Sequence, residues 1–127
     1  MQHIAWEEGF NIGIAEVDQQ HRQLVRLINE LSAAILCDAP QYIYKSIFNQ
    51  LIDYTGYHFT AEEKYIKALT KKDKRLHLLQ HQTFIDELMM MNQEDFDQQS
   101  AEQIWYFLSD WLITHIVSED IKLYKHH

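Results

Sequence analysis

The sequence H77-L-L-Q-H81 places two histidines four residues apart, in a segment with the apolar periodicity of an amphipathic helix. At about 100° per residue, side chains at positions i and i+4 lie on one face, about 6 Å apart along the axis. Both imidazoles could therefore bind one metal ion from a single helix. Such pairs also arise by chance, so the weight of this pair depends on what the other helices place opposite it.

The composition favours one all-helical domain. The chain has 127 residues, of which 46% are apolar, with only three glycines and one proline. That length and apolar content suffice for a single core. The single cysteine, Cys37, excludes an internal disulfide.

The charge and hydropathy patterns argue against several classes of partner. The net charge is −8, which disfavours binding to nucleic acid or to an anionic membrane surface. No apolar run reaches the roughly 18 residues that a membrane span needs. The N-terminal residues do not resemble a secretory signal, so we expect a soluble cytoplasmic protein. The polar outer faces lead us to expect a monomer.

Four helices are predicted from apolar residues that recur every three or four positions. They cover about residues 19–37, 41–68, 74–91 and 100–117. Residues 1–18 are expected to form an N-terminal arm that packs over the helices. Short polar connections between long helices favour an all-α, up-down-up-down four-helix bundle, and we expect one domain over residues 1–127.

Three positions carry more detailed predictions about the helices. Asp18 is the predicted N-cap of the first helix, and Ser100 to Gln103 resemble a capping box at the start of the fourth. Gly56 lies in the middle of the second helix, where glycine costs up to about 1 kcal/mol. We predict that Gly56 permits a close approach of another backbone segment.

Seven polar residues stand out, because six lie on the apolar stripes and the seventh follows the fourth stripe directly. They are His21, His58, Glu62, His77, His81, His115 and Asp120. One buried histidine is more often a hydrogen-bonded core residue than a ligand, but seven such residues on four helices need a common explanation. Metal coordination provides one, because neutral imidazoles and carboxylates become ligands and lose the penalty of burial. Since Asp120 follows His115 by five residues, the fourth helix must end or bulge near Val117–Ser118 for both to meet.

The number of ligands indicates two metal ions. Seven side chains are too many for one tetrahedral zinc ion, which takes four ligands. If both carboxylates and one further oxygen atom bridge two ions, five imidazoles leave one ion six-coordinate and the other five-coordinate. The five-coordinate ion would keep an open position for a small ligand such as O₂. Imidazole and carboxylate ligands fit iron, manganese or zinc, and they exclude iron–sulfur chemistry.

The combined pattern resembles the hemerythrin family over almost the whole chain. The resemblance is carried by G13-I-A-E-V-D-Q-Q-H21, H58-F-T-A-E62, the 77–81 stretch and H115-I-V-S-E-D120, with Trp6 preceding them. It implies a four-helix bundle around a non-haem centre of two iron ions. By the same resemblance, the ligands divide between the ions: His77, His81 and His115 on one, His21 and His58 on the other, with Glu62 and Asp120 bridging both.

The resemblance also implies a function. O₂ would bind end-on at the two-histidine iron as a hydroperoxide, taking its proton from a bridging hydroxide. Binding in the family is reversible, so we expect an O₂ carrier, store or sensor and not an enzyme. The family's apolar O₂ pocket would be lined by Leu24, Phe59, Trp111, Leu112 and Ile116, although ordinary core packing explains each of these residues equally well.

Three other functions stay open at this point. A di-iron enzyme that acts on peroxide or NO, with oxidase or peroxidase activity, could use the same centre, although the chain has none of the E-x-x-H motifs of ferritin-like di-iron proteins. An O₂-sensing module would need a partner protein to receive the signal. A zinc or manganese protein would be nearly colourless and indifferent to O₂.

Overall fold

The computed structural model describes residues 4–5, 10–67, 69–92 and 95–115. They form the four helices α1 (Ala15–Leu36), α2 (Gln41–Ile66), α3 (Lys71–Met90) and α4 (Gln98–His115), without a strand in that part of the chain. The connections 37–40, 67–70 and 91–97 are too short to join anything but antiparallel neighbours. The predicted all-α four-helix bundle is therefore confirmed. No helix in the described ranges is long and apolar enough to cross a membrane.

The core is built mainly by α1, α2 and α4. Each of these helices buries a stripe of aliphatic and aromatic side chains, exemplified by Ile28, Phe48 and Ile104. The ring of Phe96, in the connection before α4, lies 4.9 Å from that of Phe48 and closes one end of this core. Helix α3 contributes least, because its buried residues are only His77, His81, Phe84 and Leu88. The polar site described below therefore supplies half of the buried residues of α3.

Helix α1 begins at Ala15, four residues before the predicted start, and the predicted N-cap role of Asp18 is wrong. Asp18 lies one turn inside the helix. Its carboxylate reaches back and accepts hydrogen bonds from the N–H groups of Ile12 (2.8 Å) and Gly13 (3.2 Å). Gly13 has a φ angle of 94°, a conformation that glycine adopts without strain. Asp18 therefore stabilises the turn that leads into α1.

Helices α3 and α4 also begin before their predicted starts. Thr70 caps α3, since its side chain accepts a hydrogen bond from the N–H of Asp73, so residues 70–73 belong to the helix start and not to a polar connection. At α4, Asp97 Oδ1 accepts from the N–H of Ser100 at 2.8 Å. The predicted capping box at Ser100 is therefore wrong, because the cap lies three residues earlier. Helix α2 begins as predicted and ends at Ile66, two residues before the predicted end.

The described residues of the N-terminal arm pack against α1, as expected. The N–H of Ile4 donates to Asn29 Oδ1 (2.8 Å), and the carbonyl oxygen of Ile4 accepts from Asn29 Nδ2 (2.9 Å). Ile12 and Ile14 are buried in the core. The predicted helix break near Val117–Ser118 lies outside the described residues.

The predicted close approach of a backbone segment at Gly56 is wrong. Gly56 is exposed, and within the described part of the chain no neighbouring side chain or second backbone segment lies within 4 Å of the position that a Cβ atom would take. Gly56 therefore lowers the stability of the helix through its larger loss of backbone entropy on folding. Among the described residues, no close contact of the kind that only glycine permits offsets this loss.

We expect the substitution Gly56→Ala to raise the free energy of unfolding by about 0.5–1 kcal/mol, because alanine loses less backbone entropy in a helix than glycine. Urea unfolding followed by circular dichroism would measure the change. Ala61→Gly on the same helix serves as the reverse control and should lower the stability. A lower stability of the Gly56→Ala protein would show that an alanine side chain is not accommodated there.

Candidate metal centre

The carboxylate of Glu62 is completely buried, and four imidazoles converge on it. Glu62 Oε1 lies 2.9 Å from His58 Nε2 and 3.6 Å from His21 Nε2. Glu62 Oε2 lies 3.0 Å from His81 Nε2 and 3.1 Å from His77 Nε2. Each carboxylate oxygen therefore faces two imidazole nitrogens.

Helical periodicity explains how these side chains meet. His58 and Glu62 are four residues apart on α2, and His77 and His81 are four apart on α3, so each pair lies on one helix face. His21 faces them from α1. Because all these positions continue the buried stripes of their helices, the packing that forms the core also brings the polar groups together.

The donor atoms form two groups that share Glu62. One group comprises Glu62, His77, His81 and His115, the other comprises His21, His58 and Glu62, and within each group the donor atoms lie within 4.8 Å of one another. The structure thus brings together six of the seven predicted ligands. The seventh, Asp120, lies outside the described residues.

The ring positions show the same division into three and two imidazoles. On the α3–α4 side, the ring centroids of His77, His81 and His115 are separated by 4.5, 5.1 and 5.2 Å. On the α1–α2 side, the rings of His21 and His58 are 4.7 Å apart in an edge-to-face arrangement.

A buried glutamine that the sequence analysis did not single out contacts one of these histidines. Gln20 is 4% exposed, and its Oε1 lies 2.6 Å from Nδ1 of His58. The periodicity carried a signal, since Gln20 lies three residues after Val17 and four before Leu24 on the buried stripe of α1. Because Gln19 and Gln20 are the same residue type, only their positions relative to the apolar stripe show that Gln20 is buried and Gln19 is exposed.

The hydrogen bond from His58 shows that the site fits a cation. An amide oxygen only accepts hydrogen bonds, so Nδ1 of His58 carries the proton, and a neutral ring then has a bare Nε2. That bare nitrogen faces Glu62 Oε1 at 2.9 Å, which sets two lone pairs against each other. A positive charge between the two atoms turns this repulsion into coordination. The buried imidazole and carboxylate donors fit a metal ion such as iron.

The protonation states suit the same purpose. Burial alone would raise the pKa of Glu62, but the surrounding imidazoles in their protonated forms can donate hydrogen bonds to the ionised carboxylate, which outweighs burial and holds this pKa well below its ordinary value. Burial lowers the pKa of His81, and the interaction with Glu62 opposes that effect only in part. At neutral pH the carboxylate is therefore ionised and His81 is neutral, which are the forms that bind metal.

Aromatic rings hold two of the imidazoles from behind. The ring of Phe59 stacks on that of His81 with centroids 3.7 Å apart and an interplanar angle of 6°. The indole of Trp111 stacks on the ring of His115 at 4.3 Å and 15°. Such contacts restrict rotation of the ligands, as the surroundings of metal sites commonly do.

A small apolar cavity of about 10 Å³ adjoins these rings. Four of the five predicted pocket residues line it, namely Leu24, Phe59, Trp111 and Leu112, while Ile116 lies outside the described residues. The remaining lining residues, which the sequence analysis did not select, are Ile28, Leu51, Thr55, Phe84 and Leu108. A cavity of this size holds about one water-sized molecule.

Trp111 separates this cavity from a second space. An open groove of about 400 Å³ runs between α3 and α4, and its lining includes Trp111, His115, Phe107 and the acidic residues Glu87 and Asp110. The same indole thus lines both the small cavity and the open groove.

Comparison with known proteins identifies a family model and relatives that match most of the chain. A family model described as the hemerythrin HHE cation binding domain matches residues 12–126, a range that contains all seven predicted ligands. The bacteriohemerythrin of Clostridium acetobutylicum is 29% identical over 124 residues, which cover 92% of this chain and 95% of that protein.

Two further relatives extend the comparison. The bacteriohemerythrin of Pseudomonas paraeruginosa is 31% identical over 127 residues, with coverage of 94% and 78%. A hemerythrin-like protein of Naegleria gruberi is 30% identical over 118 residues, with coverage of 92% and 87%. Because the family model spans nearly the entire chain and the histidines of its four helices meet at one buried glutamate, the chain belongs to the hemerythrin family.

Proposed function

We propose that the chain binds O₂ reversibly at a non-haem centre of two iron ions. The observation that carries the proposal is the position of Glu62, which belongs to both donor groups. A carboxylate shared in this way can give one oxygen atom to each of two ions. The proposed ligands are His21, His58, Glu62, His77, His81, His115 and Asp120, with Glu62 and Asp120 as bridges.

The unequal donor groups support different roles for the two ions. With the two carboxylates and one further oxygen atom as shared bridges, three imidazoles would fill one ion, whereas His21 and His58 would leave a position open on the other. When bound, two ferrous ions supply the two electrons that reversible O₂ binding draws on. The residues hold these ions in place, since Phe59 and Trp111 fix the rings of His81 and His115.

The apolar cavity supports O₂ as the ligand. Its small volume and its apolar lining, which includes Leu24 and Leu112, disfavour the entry of water and anions. Water and anions would otherwise promote loss of the bound gas. Thr55 is the one polar residue among the described residues that line it. Within residues 10–67, 69–92 and 95–115, no carboxylate or imidazole lines that cavity to deliver protons, which favours binding over turnover of peroxide or NO. A monomeric state and a cytoplasmic location remain predictions from the sequence.

We expect the purified protein to contain two irons per chain. After reduction without air, admission of O₂ should produce a coloured form that disappears when O₂ is removed and returns when it is readmitted. Metal analysis and visible absorption spectroscopy would measure both properties. One zinc per chain, or a spectrum indifferent to O₂, would refute the proposal. Continuous consumption of peroxide or NO by the pure protein would favour the enzymatic alternative.

The position of Trp111 predicts how the bound gas is protected. Replacement by leucine should connect the open groove to the cavity, admit water, and speed irreversible oxidation of the O₂-bound protein by about tenfold or more, a size typical of changes next to metal sites. The decay of the visible spectrum measures this rate. Trp105→Leu, six residues earlier on α4 and outside the cavity lining, is the matched control. Equal decay rates in the two variants would contradict a protective role for Trp111.

The pKa shifts predict that the metal-free protein loses stability in acid. Folding lowers the pKa of His81, so the unfolded chain binds more protons below the ordinary histidine pKa of about 6.5. Stability present above that pH is therefore lost as the pH falls, and the lowered pKa of Glu62 adds a further loss at more acidic pH. Urea unfolding across this range measures the effect. In the His81→Gln variant, the free energy of unfolding should change less steeply with pH near the histidine pKa. An equally steep pH dependence in that variant would contradict the assignment to His81.

A further inference from the structure

One contact within the site is not explained by the ligands themselves. Gln20 on α1 and His58 on α2 are both buried, and a hydrogen bond of 2.6 Å joins Oε1 of Gln20 to Nδ1 of His58. A buried glutamine loses hydrogen bonds to water, so its burial is favourable only where a partner meets its amide. His58 is that partner for the amide oxygen.

We propose that Gln20 is a positioning residue for the two-histidine ion. By accepting a hydrogen bond from Nδ1–H, Gln20 holds His58 in the tautomer whose Nε2 is free to bind metal, and it fixes the ring plane toward Glu62. The inference rests on the proposed metal centre but not on O₂ as its ligand. It assigns Gln20 an effect on one of the two ions only, because the contact is to His58.

The chemistry of the amide explains the choice of residue. A neutral oxygen acceptor orients His58 without adding a charge to a site that already contains the carboxylate of Glu62. An aliphatic side chain of similar size would fill the same space and leave Nδ1–H without an acceptor, which carries the cost of an unsatisfied buried donor. Neighbouring Gln19 is exposed on the same helix and provides a matched control.

The test compares Gln20→Leu, Gln20→Glu and Gln19→Leu in the iron-loaded protein. In competition with a chelator, Gln20→Leu should bind one of its two irons about 10–100-fold more weakly, the usual effect of losing a hydrogen-bond partner of a metal ligand. The other iron should be retained. Gln20→Glu still offers an acceptor oxygen and should restore retention to within a few-fold of the wild type, and Gln19→Leu should match the wild type.

A spectroscopic measurement separates positioning from packing. In the zinc-loaded protein, nitrogen-15 NMR should show a slowly exchanging Nδ1–H for His58 in the wild type and in Gln20→Glu, and rapid exchange of this proton in Gln20→Leu. Wild-type metal retention and exchange in Gln20→Leu would overturn the inference. Equal loss in Gln20→Leu and Gln20→Glu would also overturn it, because it would indicate a packing role.

A second variant, Gln20→Asn, tests the same role if the leucine variant is unstable. If Gln20→Leu does not fold, the same measurements are made on Gln20→Asn, whose shorter side chain cannot reach His58 without movement of α1. Wild-type retention and exchange in Gln20→Asn would then overturn the inference, and selective loss of one iron would support it. None of these measurements uses O₂. A wild-type protein that holds two ions and ignores O₂ would refute the proposed function and leave the role of Gln20 standing.

Discussion

The structure depends on one buried negative charge. Glu62 has no exposed surface, and a carboxylate in such a place is tolerable only with strong compensation. Imidazoles of α1, α2 and α3 surround the carboxylate, and their nitrogens lie 2.9–3.6 Å from its oxygens. Four positively charged imidazoles around one carboxylate would reverse the problem instead of solving it. Neutral imidazoles together with a bound metal cation would balance the charge, so the electrostatics of one residue would tie together helices that are distant in the sequence.

The sequence predicted well which polar side chains come together, because one rule governs their positions. Helical periodicity determines which residues face the core, and polar residues in the same register face inward with them. The inward positions of His21, His58 and Glu62 therefore followed from the apolar stripes. The starts of α1, α3 and α4 were less predictable, because more than one residue near a helix start can cap it. Asp97 and Ser100 could each cap α4, and their side chains differ little in local preference. The path of the preceding connection decides between them, and that path depends on tertiary packing such as the contact of Phe96 with Phe48.

Other features of the site depend on distances between side chains of different helices, which the sequence pattern does not give. The stripe of α1 places Gln20 inward, but only the crossing of α1 and α2 shows that its amide meets His58. The same applies to the apolar cavity. Leu24, Phe59 and Leu112 are recognisable as apolar and inward-facing, whereas the volume left between them follows from how the rings of Phe59 and Trp111 stack on the imidazoles. Gly56 shows the opposite case, since a residue that suggested a tight contact in the sequence faces open space.

The sparse core of α3 gives the metal centre a mechanical role. Two of the four buried residues of this helix are His77 and His81, so a metal coordinated there would add to the apolar contacts of Phe84 and Leu88 in attaching the helix to the bundle. A metal bound at this site would therefore act as a cross-link between α3 and the other three helices. In the metal-free chain α3 is the helix with the weakest hold on the core, and its outward movement would expose His77, His81 and Glu62 together. The route by which ions enter the centre and the first step of unfolding after their removal would then be the same motion.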